Sequence, residues 1–143
     1  MKPIQRVKLE IIELEYNNYH IIAPCTLANG EKSWWIVDTG ASKTVFDIAK
    51  IDLYEKEENP PLEKYKSAGI NDTIAETKLG ILPSLRFGEL EIKDISVALI
   101  SLEHINQIYL QFCPYSITGL LGSDLLFKHQ ATIDYKKQEM LLF

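Results

Sequence analysis

Trp35-Ile36-Val37-Asp38-Thr39-Gly40-Ala41-Ser42 decides the reading of this chain. An apolar run ends on a carboxylate, and a glycine turn follows at once. Burying an aspartate is costly unless it is paired or hydrogen-bonded. Gly40 lets the backbone approach closely and supplies N–H groups nearby. Thr39 and Ser42 add hydroxyl donors. Such a setting holds a carboxyl group in one orientation and controls its ionisation. Taken as isolated letters, the same residues also suit an aspartate that caps a turn.

Outward from this stretch the chain reads mainly as strands. On the N-terminal side, Val7 to Leu14 alternates apolar and charged residues and is expected to form one strand. Tyr19 to Leu27 is a second strand. Asn29-Gly30 is a hairpin signal, and Ser33 to Val37 returns. Adjacent Trp34 and Trp35 then face opposite sides, one into the core.

On the C-terminal side, Thr44, Val45 and Phe46 form a short strand. Ile51 to Pro61 is a charged surface loop, with Glu55, Lys56, Glu57 and Glu58 on a solvated face. Tyr65 to Lys78 flanks a small polar tip and reads as a projecting hairpin. Ile81 to Phe87 and Leu90 to Ile100 are strands separated by Gly88. A short helix fits within Ser101 to Phe112. Ser123 is the expected N-cap of a helix running to about His129. Ala131 to Asp134 and Glu139 to Phe143 close the chain as a hairpin. Many short strands and no strand–helix alternation give an all-β barrel with one or two short helices, in a single domain over residues 1–143.

Composition narrows the function classes. The chain has 143 residues, 46% of them hydrophobic, enough for one modest core. The net charge of −5 comes from interspersed signs, with no basic block, so nucleic acid is not an expected partner. No stretch approaches the about 18 apolar residues of a membrane span, and no signal-peptide core follows Met1. A soluble, cytoplasmic protein is expected. Cys25 and Cys113 form no CxxC pair and read as reduced thiols. His20, His104 and His129 lack metal-ligand spacing, so a zinc site is not expected.

A second stretch resembles a known pattern together with the first. Asp38-Thr39-Gly40-Ala41-Ser42 after apolar residues is similar to the active-site loop of the retropepsin-like (clan AA) aspartic peptidases. Leu120-Leu121-Gly122-Ser123-Asp124-Leu125-Leu126 is similar to the second signature of that family, a bulky apolar pair followed by glycine and a short helix. The 84 residues between Asp38 and Gly122 suit one lobe with a flap between the signatures.

The resemblance implies a single-lobe acid-protease barrel with Asp38 as the catalytic carboxylate. It implies that Thr39 bonds across a two-fold axis, that Gly40 lies beside the substrate, and that Ser42 bonds the outer oxygen of the carboxylate. Leu120, Leu121 and Gly122 would pack beneath the loop. Gly69, Ile70 and Asn71 fall where a substrate-covering flap is expected. The apolar end at Met140 to Phe143 reads as an ordinary core strand; because terminal strands pair across the dimer in retroviral relatives, the resemblance adds an interface role as the alternative.

Asp-Thr-Gly occurs once, and the mechanism takes two carboxyl groups. The expectation is therefore a homodimeric aspartic endopeptidase acting on polypeptides. The alternative is a non-catalytic peptide- or protein-binding module on the same fold. Tyr109, Phe112 and Tyr115 are expected to pack, or to wall a substrate pocket.

Overall fold

Inward-facing residues along two consecutive strands set the barrel. The computed structural model describes residues 1–57 and 78–143. Strand β1 spans Gln5–Lys8, β2 Glu10–Glu15, β3 Asn18–Leu27 and β4 Lys32–Val37. Ile21, Ala23, Cys25 and Leu27 of β3 alternate inward with Trp35 and Val37 of β4. The turn between them carries Gly30 at φ +91°, a conformation that suits glycine. Then follow β5 (Val45–Asp47), a 3-10 turn at Ile51–Leu53, and β6 (Glu55–Lys56). Next come β7 (Lys78–Phe87), β8 (Leu90–Ile100), α1 (Glu103–Tyr109) and β9 (Ile117–Leu121). The described chain ends with α2 (Ser123–Lys128), β10 (Thr132–Asp134) and β11 (Glu139–Leu142).

Hydrogen bonding runs β3-β4-β9-β5-β8-β7 and returns from β7 to β3 through Thr26↔Arg86 and Leu27↔Leu85. Six strands thus close a barrel, and closure leaves those strands no edge in the ring. Two pairings are parallel, β4 with β9 and β5 with β8. The barrel interior holds Trp35, Phe46, Leu85, Val97 and Leu121. A second cluster outside β4 packs Leu14, Ile22, Leu102, Tyr109 and Ile117 beneath β2 and α1. A separate sheet of order β1-β11-β10 lies at one end.

The fold class is as the sequence reads, and two local expectations change. Val7 to Leu14 is two strands in two sheets. They part at Leu9, which is buried and whose N–H donates to the Gln138 carbonyl at 2.9 Å. Ser123 is the first helical residue of α2, and Gly122 takes the cap position with no side-chain capping bond. Strand β11 is the core strand expected of the apolar end: β1 pairs with one edge and β10 with the other, and Met140 and Leu142 are wholly buried. Gly69, Ile70 and Asn71, and the hairpin expected over 65–78 apart from Lys78, lie outside the described residues.

Candidate active site

Asp38 sits where β4 leaves the barrel. Strand β9 runs parallel beside β4, with Ile36 opposite Leu120 and Val37 opposite Leu121. The Asp38 N–H continues that ladder to the Leu121 carbonyl at 3.0 Å. The chain then turns tightly. Ala41 N–H bonds the Asp38 carbonyl at 3.1 Å, and Gly40 N–H bonds Asp38 Oδ1 at 3.0 Å. One carboxylate oxygen is thereby oriented by the backbone of its own loop. The far side of the loop is tied down by the Ser123 N–H, which donates to the Ala41 carbonyl at 2.7 Å.

Beneath the loop two chain segments cross with almost no space. A Cβ on Gly122 would lie 2.6 Å from the Lys43 carbonyl carbon, and one on Gly119 would lie 2.3 Å from the Trp35 ring. Only glycine permits these approaches. Leu121 is wholly buried in the barrel and Leu120 faces out into the cleft.

A polar clasp locks the crossing. Asp124 Oδ1 accepts from the Thr44 N–H at 2.9 Å and the Thr44 hydroxyl at 2.7 Å. Thr44 Oγ1 in turn accepts from the Gly122 N–H at 3.1 Å. The Thr44 carbonyl accepts from the Ala98 N–H at 2.9 Å. Threonine 44 is fully buried, so its donors depend on Asp124. Lys43 Nζ stands 3.9 Å from the other Asp124 oxygen. Neither Thr44 nor the side chain of Asp124 stands out in the sequence, because their contact spans 80 positions.

Asp38 and Thr39 open onto a cleft of about 490 Å³ walled by His20, Ile36, Ile105, Leu120, Ile133 and Tyr135. Behind it lies an apolar cavity of about 330 Å³, which shares His20, Ile36 and Ile105 with the cleft and adds Leu14, Ile108 and Tyr109. The wall between them is polarised: His20 meets the Tyr109 ring edge-on at 5.7 Å. The Tyr109 hydroxyl is buried without a hydrogen-bond partner. Burial first, then the neighbouring Cys113 and Asp38 charges, push its pKa up to about 12, so the phenol stays neutral. Trp34, the outward member of the tryptophan pair, stacks on Tyr115 at 4.6 Å and fixes the segment after α1 against β4. The Tyr115 hydroxyl donates to Glu10.

The structure brings Asp38, Thr39, Gly40, Leu120, Leu121 and Gly122 together. Thr39 is exposed at the loop tip. Ser42 is exposed as well, and no hydrogen bond joins it to Asp38 among the described residues. Phe112 is exposed, away from both cavities. Cys25 and Cys113 are free thiols. Among the described residues no cluster of His, Cys, Asp or Glu could hold a metal ion, and no helix is long and apolar enough to cross a membrane.

The profile of a family described as aspartyl protease matches residues 23–125. A search of curated proteins matches none. Among solved structures the chain is similar to a retropepsin-like aspartic protease from Rickettsia conorii, with 22% identity over 99% of this chain and 96% of that one, at a TM-score of 0.48. It is also similar to the retroviral protease-like domain of Ddi1 from Leishmania major, with 14% identity over 94% of this chain and 88% of that one, at a TM-score of 0.50.

Proposed function

Because this chain belongs to the aspartyl protease family, we propose that residues 1–143 form one retropepsin-like domain and that two copies make a homodimeric aspartic endopeptidase. The observation that carries this reading is the setting of Asp38. Its carboxylate is oriented by Gly40, held over the clasped crossing, and open to a cleft with apolar walls.

One such carboxylate is half of the machinery. In this proposal a two-fold axis sets the Asp38 carboxyls of both chains about 3 Å apart, where like charge prevents both from ionising, as is general for aspartic protease dyads. They share one proton and titrate as a pair. The ionised member takes a proton from water while the water oxygen bonds to the scissile carbonyl carbon. The neutral member hydrogen-bonds to the carbonyl oxygen and stabilises its growing charge. Collapse of the tetrahedral adduct breaks the C–N bond, and a carboxyl proton passes to the leaving amine. Thr39, at the exposed tip, would bond across the axis to the opposing loop. No metal or organic cofactor enters this scheme. Ile36, Ile105 and Leu120 favour extended peptides with apolar side chains near the cut.

A second reading is a peptide- or protein-binding module on the same fold. The specific observation in its favour is Ser42, which is exposed and leaves Asp38 with one oxygen held by the loop. The two readings separate in one experiment. A peptide library is incubated with wild type and Asp38→Asn across the acid-to-neutral range, at matched dimer content. Cleavage by wild type alone supports the peptidase. Cleavage by both removes Asp38 from the mechanism. Binding without cleavage by a folded wild-type dimer supports the module.

A further inference from the structure

Two hollows share one wall beside Asp38. The cleft that holds Asp38 and the cavity of about 330 Å³ behind it have His20, Ile36 and Ile105 in common. A side chain that leaves the cleft across Ile36 therefore enters the cavity. Leu14, Ile36, Ile105, Ile108 and Tyr109 line it, so a chain of methylenes gains apolar contact along its length.

The end of the cavity away from Asp38 differs in kind. Glu15 and Asn18 line it there, as opposed residues at the close of the β2–β3 hairpin. Asn18 is two residues beyond His20 along β3, roughly 7 Å at the usual strand rise. Asn18 Nδ2 donates to Glu15 Oε2 at 3.4 Å, and Glu15 Oε1 has no hydrogen bond among the described residues. Glu15 is exposed, so its carboxylate stays in contact with water.

Charge points the same way. Asp38 lines the cleft and Glu15 the cavity, and among the described residues no lysine or arginine lines either. The chain as a whole carries a net charge of −5. Hollows with low-dielectric walls and charge of one sign concentrate ligands of the other sign. His20, the remaining titratable group on the shared wall, meets the Tyr109 ring edge-on and has no hydrogen bond to either carboxylate.

From these facts we infer that the cavity is a specificity subsite for a lysine or arginine side chain of a polypeptide substrate, with the apolar stem along Ile36, Ile105 and Tyr109 and the cationic head at Glu15. The inference rests on the peptidase reading above and names one side chain of its substrate. Lysine and arginine bury their stems against apolar surface and keep their heads in water, which matches the two ends of this cavity. An acidic side chain would bring like charge to Glu15. An aliphatic one would fill the walls and leave the carboxylate unengaged. Glu15 is a specificity-determining residue in this scheme and takes no part in bond breaking.

A peptide series tests this by placing lysine, norleucine or glutamate in turn at each position of an extended apolar sequence. Norleucine supplies the stem without the ammonium group. At one position kcat/KM for lysine should exceed that for norleucine by about two- to fivefold, the range of an exposed ion pair, with glutamate lowest. The preference should shrink in high salt. Glu15→Gln keeps an oxygen for Asn18 and should bring the lysine-to-norleucine ratio near unity, and Glu15→Lys should invert it. Cleavage with no position that prefers lysine, or a preference that Glu15→Gln leaves intact, overturns the subsite and leaves the peptidase standing. If the folded wild-type dimer cleaves none of the peptides, the peptidase reading fails, and binding of the same series to that protein decides the subsite. Tighter binding of a lysine peptide that is lost in Glu15→Gln upholds it, and equal or absent binding overturns it.

Discussion

Replacing Asp124 with alanine tests whether the clasp under the Asp38 loop holds the site. The carboxylate oxygen Oδ1 accepts two hydrogen bonds from Thr44, at 2.9 and 2.7 Å. Thr44 is fully buried, so Asp124→Ala strips two donors of their acceptor. Each orphaned buried donor costs about 1–3 kcal/mol. The Asp124 side chain keeps 31% of its surface exposed, and water can enter the space it leaves. That places the expected loss toward the low end for two donors, about 2–4 kcal/mol.

Asp124→Asn retains an oxygen at the same position and loses only the charge, so its expected cost is about 1 kcal/mol or less. The Lys43 contact adds little to the difference, being long and partly exposed. Urea unfolding of wild type, both variants and Thr44→Val measures these values, with an unchanged m-value as the condition for comparing midpoints. The double variant Asp124→Ala/Thr44→Val should show a coupling of about 1–2 kcal/mol. Asp124→Ala within about 0.5 kcal/mol of wild type, or Asp124→Asn as costly as Asp124→Ala, would refute the reasoning. Under the proposed peptidase function, the folded fraction of Asp124→Ala should also cleave more slowly, because a shift of about 1 Å at reacting atoms can cost about 100-fold.

Three further outcomes are expected. Gly119→Ala forces a Cβ to 2.3 Å from the Trp35 ring and 2.4 Å from the Val45 carbonyl, and should cost about 3 kcal/mol or abolish folding, as read by thermal melting. Tyr109→Phe removes a buried hydroxyl that has no partner, so stability in urea should hold or rise by about 1 kcal/mol; a loss of that size would mean the hydroxyl is satisfied. Burial pushes the Cys25 thiol from 9.0 up to about 12. A raised folded pKa gives stability that is complete below pH 9 and lost as pH climbs toward 12, at about 1.4 kcal/mol per unit. Cys25→Ala should flatten that decline in urea midpoints measured above pH 9, and an unchanged slope would assign the decline to other groups.

What the sequence made legible was local. Asp38-Thr39-Gly40, the Asn29-Gly30 turn and the Leu120-Leu121-Gly122 run each carry their structure within a few residues, and the barrel follows from strands of period two. What escaped was long-range. The break at Leu9 depends on Gln138, whose carbonyl binds the Leu9 amide, while apolar alternation runs through the break without a mark. Ser123 looks like a helix cap, but Gly122 takes that position against Lys43. Asp124 reads as an ordinary first-turn acid until folding sets it against Thr44. His20, Ile105 and Tyr109 become a shared wall only once β3 and α1 are neighbours.

The parallel pairing of β4 with β9 also has a consequence in time. Trp34 to Val37 must wait for Ile117 to Leu121 before the Asp38 amide gains its acceptor. Closing so long a loop costs chain entropy before contacts repay it, and folds rich in such pairings form slowly. During synthesis, a ribosome that has exposed Asp38 has still to deliver β9 and the clasp residue Asp124. The nascent chain therefore carries the carboxylate long before it carries a place to hold it.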